Sequence, residues 1–167
     1  LCFFADEIPV PGKTVLGKKY IIGPGGKGSN QAIAAARAGG DVSFITKLGK
    51  DNYADMALKL YQEAGVNTQA VILDSELNTG AAGILINQKT GENAINVISG
   101  AAGTIDQKFI EDNLSIIKNS KIFLTQLETP LDASLYALKI AKENGCTTIL
   151  NPAPARSLPE DCFENID

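Results

Sequence analysis

Short β-branched runs alternating with amphipathic helical runs constrain this chain more than any other feature. Ser29 to Ala38 reads as a helix stopped by Gly39-Gly40, and Val42 to Leu48 as a strand. Asp51 caps a second helix whose Ala54, Ala57, Leu58 and Tyr61 share one face and which ends at Gly65; Ala70 to Leu73 is strand again. Thr104-Ile105-Asp106-Gln107 has the form of a capping box and opens a helix with Ile110, Leu114 and Ile117 on one side. Lys121 to Gln126 is a strand, Leu131 to Asn144 a helix, and Thr147 to Leu150 a strand leading into Asn151-Pro152-Ala153-Pro154-Ala155, after which Ser157-Leu158-Pro159-Glu160 has the form of another capping box. Strands joined through helical crossovers pair in parallel, so the pattern predicts an α/β fold with a helix-covered parallel sheet. With 167 residues and 44% hydrophobic content there is material for one core and little more, which predicts a single domain over residues 1–167.

Two stretches break the alternation. Ala81 to Asn87 and Asn93 to Ile98 are strand-like and separated by Gln88-Lys89-Thr90-Gly91-Glu92, a polar, glycine-bearing link suited to a hairpin. Together with Val15 to Ile22 they predict a small antiparallel sheet beside the α/β body. Such a sheet cannot bury both of its faces alone, so it needs a ligand, the body or a second copy of itself.

Composition narrows the function. The net charge is -4 and the fifteen Lys and Arg are scattered, which leaves no electrostatic footprint for nucleic acid and favours a small-molecule ligand. No apolar run approaches the roughly 20 residues that span a bilayer, and Leu1-Cys2-Phe3-Phe4-Ala5 lacks the basic start of a signal peptide, so a cytoplasmic protein with no membrane partner is expected. Three cysteines without C-x-x-C spacing support neither a disulfide framework nor a zinc site and read as buried or partly buried thiols. With no histidine, Ser-His and Cys-His machinery is excluded within these residues, and no metal site is expected among them. Chemistry must rest on carboxylates, lysine, amides and backbone.

The richest local motif is Gly23-Pro24-Gly25-Gly26-Lys27-Gly28-Ser29-Asn30-Gln31, set between the strand-like Tyr20-Ile21-Ile22 and the alanine-rich helix. It is not a Walker A loop, because Lys27 is followed by Gly28 rather than Ser or Thr. Gly23, Gly25 and Gly28 fit G-x-G-x-x-G, but Asp41 and Asp51 straddle the acidic position that a dinucleotide site requires, and Pro24 removes an amide where pyrophosphate meets bare backbone. A structural glycine turn is the plain alternative. Against it stands the density of donors at a helix N-terminus: an ammonium at Lys27, side-chain amides at Asn30 and Gln31, and glycines that let a ligand approach the backbone. That chemistry suits a hydroxyl-rich ligand as well as an anion.

Gly25 to Ala32, followed by Ala34-Ala35-Ala36-Arg37-Ala38-Gly39, resembles the first signature of the ribokinase-like (PfkB) carbohydrate kinase family. Pro9-Val10-Pro11-Gly12-Lys13-Thr14-Val15 resembles that family's P-x-x-G-E-T element, with Lys13 in place of the usual Glu. Thr125-Gln126-Leu127-Glu128-Thr129-Pro130 and Leu150 to Ala155 are similar to its ribokinase branch rather than to the fructokinase or adenosine kinase branches. The resemblance runs in register over nearly the whole chain.

The resemblance implies a ribokinase-like fold, a parallel sheet with a small antiparallel β lid, and transfer of the ATP γ-phosphate to a sugar such as ribose. It makes the glycine loop a sugar site, with Gly26, Lys27 and Asn30 contacting hydroxyls and Glu128 accepting a further one. Glu128 also has a structural alternative as a charge at the N-terminus of the helix that starts at Leu131. Asn151 is a secondary candidate near the metal-phosphate region, and Ala82 and Val97 on the lid strands are candidates for apolar cover over the sugar, which core packing of the lid explains equally well. ATP and Mg2+ are the implied cofactors, with K+ as a further monovalent cation, and lid-to-lid pairing implies a homodimer. The family's Gly-Ala-Gly-Asp stretch, which holds the catalytic aspartate, has no counterpart; Gly100-Ala101-Ala102-Gly103-Thr104 is the nearest look-alike. The resemblance therefore implies a catalytic base beyond Asp167 and a C-terminal nucleotide-binding half outside residues 1–167. Another sugar or a nucleoside as substrate, or a noncatalytic sugar-binding module, are the alternatives. Residues 1–167 alone are expected to be inactive.

Overall fold

The computed structural model describes all 167 residues. Its body begins where the sequence places its strongest helix signals. Helix α1 spans Lys27–Arg37 and starts earlier than the alanine run suggests, because Gly26 takes φ 93° at its N-cap, a conformation that side chains avoid. Strand β3 (Thr46–Gly49) leads into α2 (Asn52–Ala64), whose first amides at Tyr53 and Ala54 are accepted by Asp51 and whose end is turned by Gly65 in the left-handed region. Strand β4 (Val71–Asp74) then returns parallel to β3, as a helical crossover requires. The same unit recurs later: β7 (Ile122–Gln126), α5 (Leu131–Glu143) and β8 (Thr147–Asn151), with β7 and β8 parallel from Ile122↔Thr147 to Gln126↔Asn151. The two ladders are separate two-stranded sheets rather than one continuous sheet.

Packing divides in the same way. Ala32, Ile33, Leu48, Ala54, Ala57, Tyr61 and Val66 form one buried cluster, with Phe44 meeting Tyr61 edge-on at 5.4 Å. Ile105, Phe109, Ile110, Ile117, Ala133, Ala137, Ala141 and Cys146 form the other. Alanines on the buried face of α5 let it lie close to its neighbours, while each large aliphatic or aromatic side chain buried here contributes roughly 1.5–3 kcal/mol.

Three local expectations change. The helix expected to run past Ile117 is broken into α3 (Gln107–Asp112) and α4 (Leu114–Lys118), because the Asn113 amide donates to the Phe109 carbonyl at 2.8 Å and competes with the helical pattern. Its cap is Asp106, which accepts from the Phe109 amide at 2.8 Å. Thr104 instead donates back to the Ala101 carbonyl and closes a 3-10 turn over Ala101–Thr104. Nor does Ser157 cap a helix: Pro159 precedes a 3-10 segment, Glu160–Asn165, with no side-chain cap.

The lid is a four-stranded sheet in the order β2-β1-β5-β6. Strands β5 (Thr79–Asn87) and β6 (Asn93–Gly100) form a hairpin. The sheet is mixed, because β1 (Cys2–Ala5) inserts at its centre, parallel to β5 and antiparallel to β2 (Lys19–Ile21). Only three residues of the expected Val15 to Ile22 run pair as strand. β1 has no alternation to reveal it: an apolar run this short looks the same as a helix fragment. The cysteines are free, with Cys146 and Cys162 buried and Cys2 partly so. No helix is long and apolar enough to cross a membrane.

Candidate functional site

The site is built where the N-terminus of α1 meets the C-terminal ends of β7 and β8. Because its N-cap is a glycine, α1 has no side-chain cap of its own. A residue 101 positions away supplies it: Glu128 Oε2 accepts the Lys27 amide at 2.6 Å, and Glu128 Oε1 accepts from the Lys27 ammonium at 2.7 Å. The carboxylate is thus held at both oxygens, one against the positive end of α1 and one against a cation. The structural alternative for Glu128 is modified accordingly. It serves the N-terminus of α1, whereas α5 has Pro130 at its N-cap and no side-chain cap.

Gln126, the last residue of β7, is the support that motif reading did not single out for a role. Its Oε1 accepts the Glu128 amide at 2.9 Å, fixing the turn that aims the carboxylate. Its amide also explains Gly28, because a Cβ there would stand 2.8 Å from Gln126 Nε2 and 3.4 Å from the Phe44 ring. The one signal in the sequence is a polar amide closing an apolar strand, since such an amide needs partners once it is buried. Asn151 pairs with Gln126 across the β7–β8 ladder, and the Leu127 amide donates to the Ala153 carbonyl at 3.0 Å. The Asn151 segment is thereby brought to the same end of the body.

Gly26 lies beside the pair, its would-be Cβ 4.0 Å from Glu128 Oε2. Asn30 is exposed in the first turn of α1, with its backbone amide bonded to the Gly26 carbonyl at 2.9 Å. Ala82 and Val97 face each other across the β5–β6 hairpin, on the lid rather than on the body that carries Lys27 and Glu128. Lys27 is 38% exposed and Glu128 24% exposed, so the pair remains open to a ligand. The ammonium donates and cannot accept, while the carboxylate accepts and cannot donate. Side by side they can orient hydroxyl groups, one through its oxygen and one through its proton.

A body of parallel strands with crossover helices, a polar cluster at the strand ends and a separate β lid together define a lidded α/β domain. The sequence matches the pfkB family carbohydrate kinase profile over residues 2–167, and the chain belongs to that family. It is 43% identical over 163 residues to the bifunctional ribokinase/ribose-5-phosphate isomerase A of Fructilactobacillus sanfranciscensis, covering 97% of this chain and 30% of that protein. It is 43% identical over 143 residues to the ribokinase of Staphylococcus aureus, covering 86% of this chain and 47% of that protein. Among solved structures, the ribokinase of Arabidopsis thaliana complexed with ribose and ATP superposes with a TM-score of 0.87 at 27% identity, covering 99% of this chain and 55% of that one. The chain spans about half the length of the ribokinases it matches.

Proposed function

We propose that the protein carrying this chain is a sugar kinase that transfers the γ-phosphoryl group of ATP to the primary hydroxyl of D-ribose, giving ribose 5-phosphate and ADP. Residues 1–167 take the sugar-binding share of that reaction. The observation that carries the proposal is the paired Lys27 ammonium and Glu128 carboxylate at the mouth of α1. Its partners among ribokinases, and the binding of ribose and ATP by the Arabidopsis protein, support the choice of substrate. Gly26 keeps the loop backbone low enough for a ligand to reach it, and Asn30 adds an exposed side-chain amide. Ala82 and Val97 are assigned to the apolar cover that the lid lays over the sugar ring, and Asn151 to a polar contact nearer the phosphates.

Positioning of the hydroxyl supplies much of the rate in such a transfer, because an oriented reactant avoids the entropy cost of a chance encounter. No group of three or more His, Cys, Asp or Glu side chains converges here, so these residues do not fit a protein-caged divalent ion. Mg2+ is assigned to the phosphates of the nucleotide, its usual partners, and K+ is a family expectation on which no step depends. The lid's exposed apolar residues away from that cover, Tyr20 and Ile98 among them, support pairing with a second lid to make a homodimer. A kinase drawing on the ATP pool is placed in the cytoplasm.

The test is turnover by the full-length protein in the presence of Mg2+, ATP and a panel of sugars and nucleosides. Ribose-dependent formation of ribose 5-phosphate is expected. Preference for another sugar or a nucleoside moves the assignment within the family, and ribose binding without turnover favours a noncatalytic binding module.

A further inference from the structure

The hairpin that would cover the sugar leaves and re-enters the body at Thr79 and Gly100, which face each other at the base of β5 and β6. Asp51 reaches across from the start of α2. Its Oδ1 accepts the Tyr53 and Ala54 amides at 3.0 Å each and the Thr79 hydroxyl at 2.8 Å, while Oδ2 accepts the Thr79 amide at 2.7 Å. The Thr79 Oγ1 also accepts the Gly49 amide at 2.9 Å. Its single proton goes to Asp51, since the Gly49 carbonyl is 3.4 Å away. Around this knot the backbones touch: a Cβ on Gly49 would lie 2.4 Å from the Thr79 amide nitrogen, and one on Gly100 2.3 Å from the Asn78 carbonyl oxygen. Every side-chain hydrogen bond from the body to the hairpin passes through Thr79.

An N-cap needs only the Tyr53 and Ala54 amides, so the two bonds to Thr79 are additional to that duty. They act at the point where a small change of angle is magnified along the hairpin, because Ala82 stands about 10 Å further on at strand spacing. We infer that Asp51 and Thr79 form a clasp that sets the pose of the lid over the sugar, making both of them positioning residues for sugar capture. The inference rests on the sugar-kinase reading of the site.

The test uses the full-length protein and the variants Asp51→Asn, Thr79→Val and Thr79→Ser. Asp51→Asn keeps an oxygen for the α2 cap but turns an NH2 group toward the Thr79 amide, donor against donor. Thr79→Val removes the hydroxyl at nearly constant volume, and Thr79→Ser restores it. Asp51→Asn and Thr79→Val are each expected to raise KM for ribose about tenfold with KM for ATP held within about twofold, the scale of one hydrogen bond to a charged group. Thr79→Ser is expected to recover most of the ribose affinity. Hydrogen exchange of the β5 amides near Thr79 is expected to quicken in the same two variants while the α2 amides stay protected. Equal rises in both KM values, or unchanged KM for ribose in a folded variant, overturn the clasp as a positioning device. If the wild type turns over no sugar, the functional reading fails and the exchange data alone decide whether the clasp restrains the lid. Unchanged β5 exchange then overturns it.

Discussion

The N-termini of α1 and α2 solve one problem in opposite ways. Each leaves amides without helical partners. α2 is capped from the adjacent residue, Asp51, so its start is determined locally. α1 begins at a glycine and borrows Glu128 from the end of β7. A local cap is folding information. A remote cap that is also paired to an ammonium and left partly open places a charged acceptor and a charged donor where a ligand can meet them. On the proposed reading, the α1 terminus serves binding and the α2 terminus holds the lid.

That contrast can be broken. Removing the remote cap should cost more than removing the local one. Glu128→Ala strips the partner from both the Lys27 amide and the Lys27 ammonium and is expected to lower stability by about 1–3 kcal/mol, measured by urea denaturation of the full-length protein. Gly26→Val is expected to follow closely, since φ 93° with ψ 135° lies in a region nearly closed to side chains and costs about 1–3 kcal/mol. The cap share of Asp51, taken as the loss on Asp51→Ala beyond the loss on Asp51→Asn, which keeps the cap oxygen, should be about 1 kcal/mol, within a range of roughly 0.5–2. A cap share larger than the Glu128→Ala loss would reverse the ranking.

A smaller effect sharpens the comparison through pH. The Thr79 amide foremost, and the Ala54 amide, the Thr79 hydroxyl and the Tyr53 amide after it, hold the Asp51 carboxyl below the usual carboxylate range against the opposing pull of burial. A depressed folded value means the unfolded chain binds the proton first. The stabilisation by Asp51 is therefore complete above the unfolded value of about 3.9 and is lost as pH falls through the lower folded value. The stability gap between wild type and Asp51→Asn should be constant near neutrality and shrink below about pH 4. A gap that grows on acidification would contradict the assigned bonds. Smallest of all, Val97→Ala on the exposed strand β6 should leave stability within about 0.5 kcal/mol, as surface changes do.

Much of the body was legible because its signals are local. Asp51 before α2, Gly65 after it and the alternation of strands with helices each act within a few residues. Lys27, Asn30 and Glu128 could be named from the motif and the family resemblance, yet the bond between Lys27 and Glu128 spans 101 positions and no spacing rule reports it. Three things escaped for physical reasons. β1 is too short for a period, Asn113 breaks a helix through its own side chain, and Thr79 gains its importance only when the hairpin base folds against Asp51. Gln126 shows the same limit, since its burial between Gly28 and Glu128 is a tertiary fact.

The central claim is that Lys27 and Glu128 grip a sugar together. Calorimetric titration of ribose and, separately, of ATP into the full-length wild type, Lys27→Ala, Glu128→Ala and the double variant tests it most directly. Each single substitution is expected to weaken ribose binding by about 1–3 kcal/mol, with the double variant losing clearly less than the sum because the two groups act as one unit, and ATP affinity barely moving. Unchanged ribose affinity, or equal losses for ribose and ATP, would contradict the account.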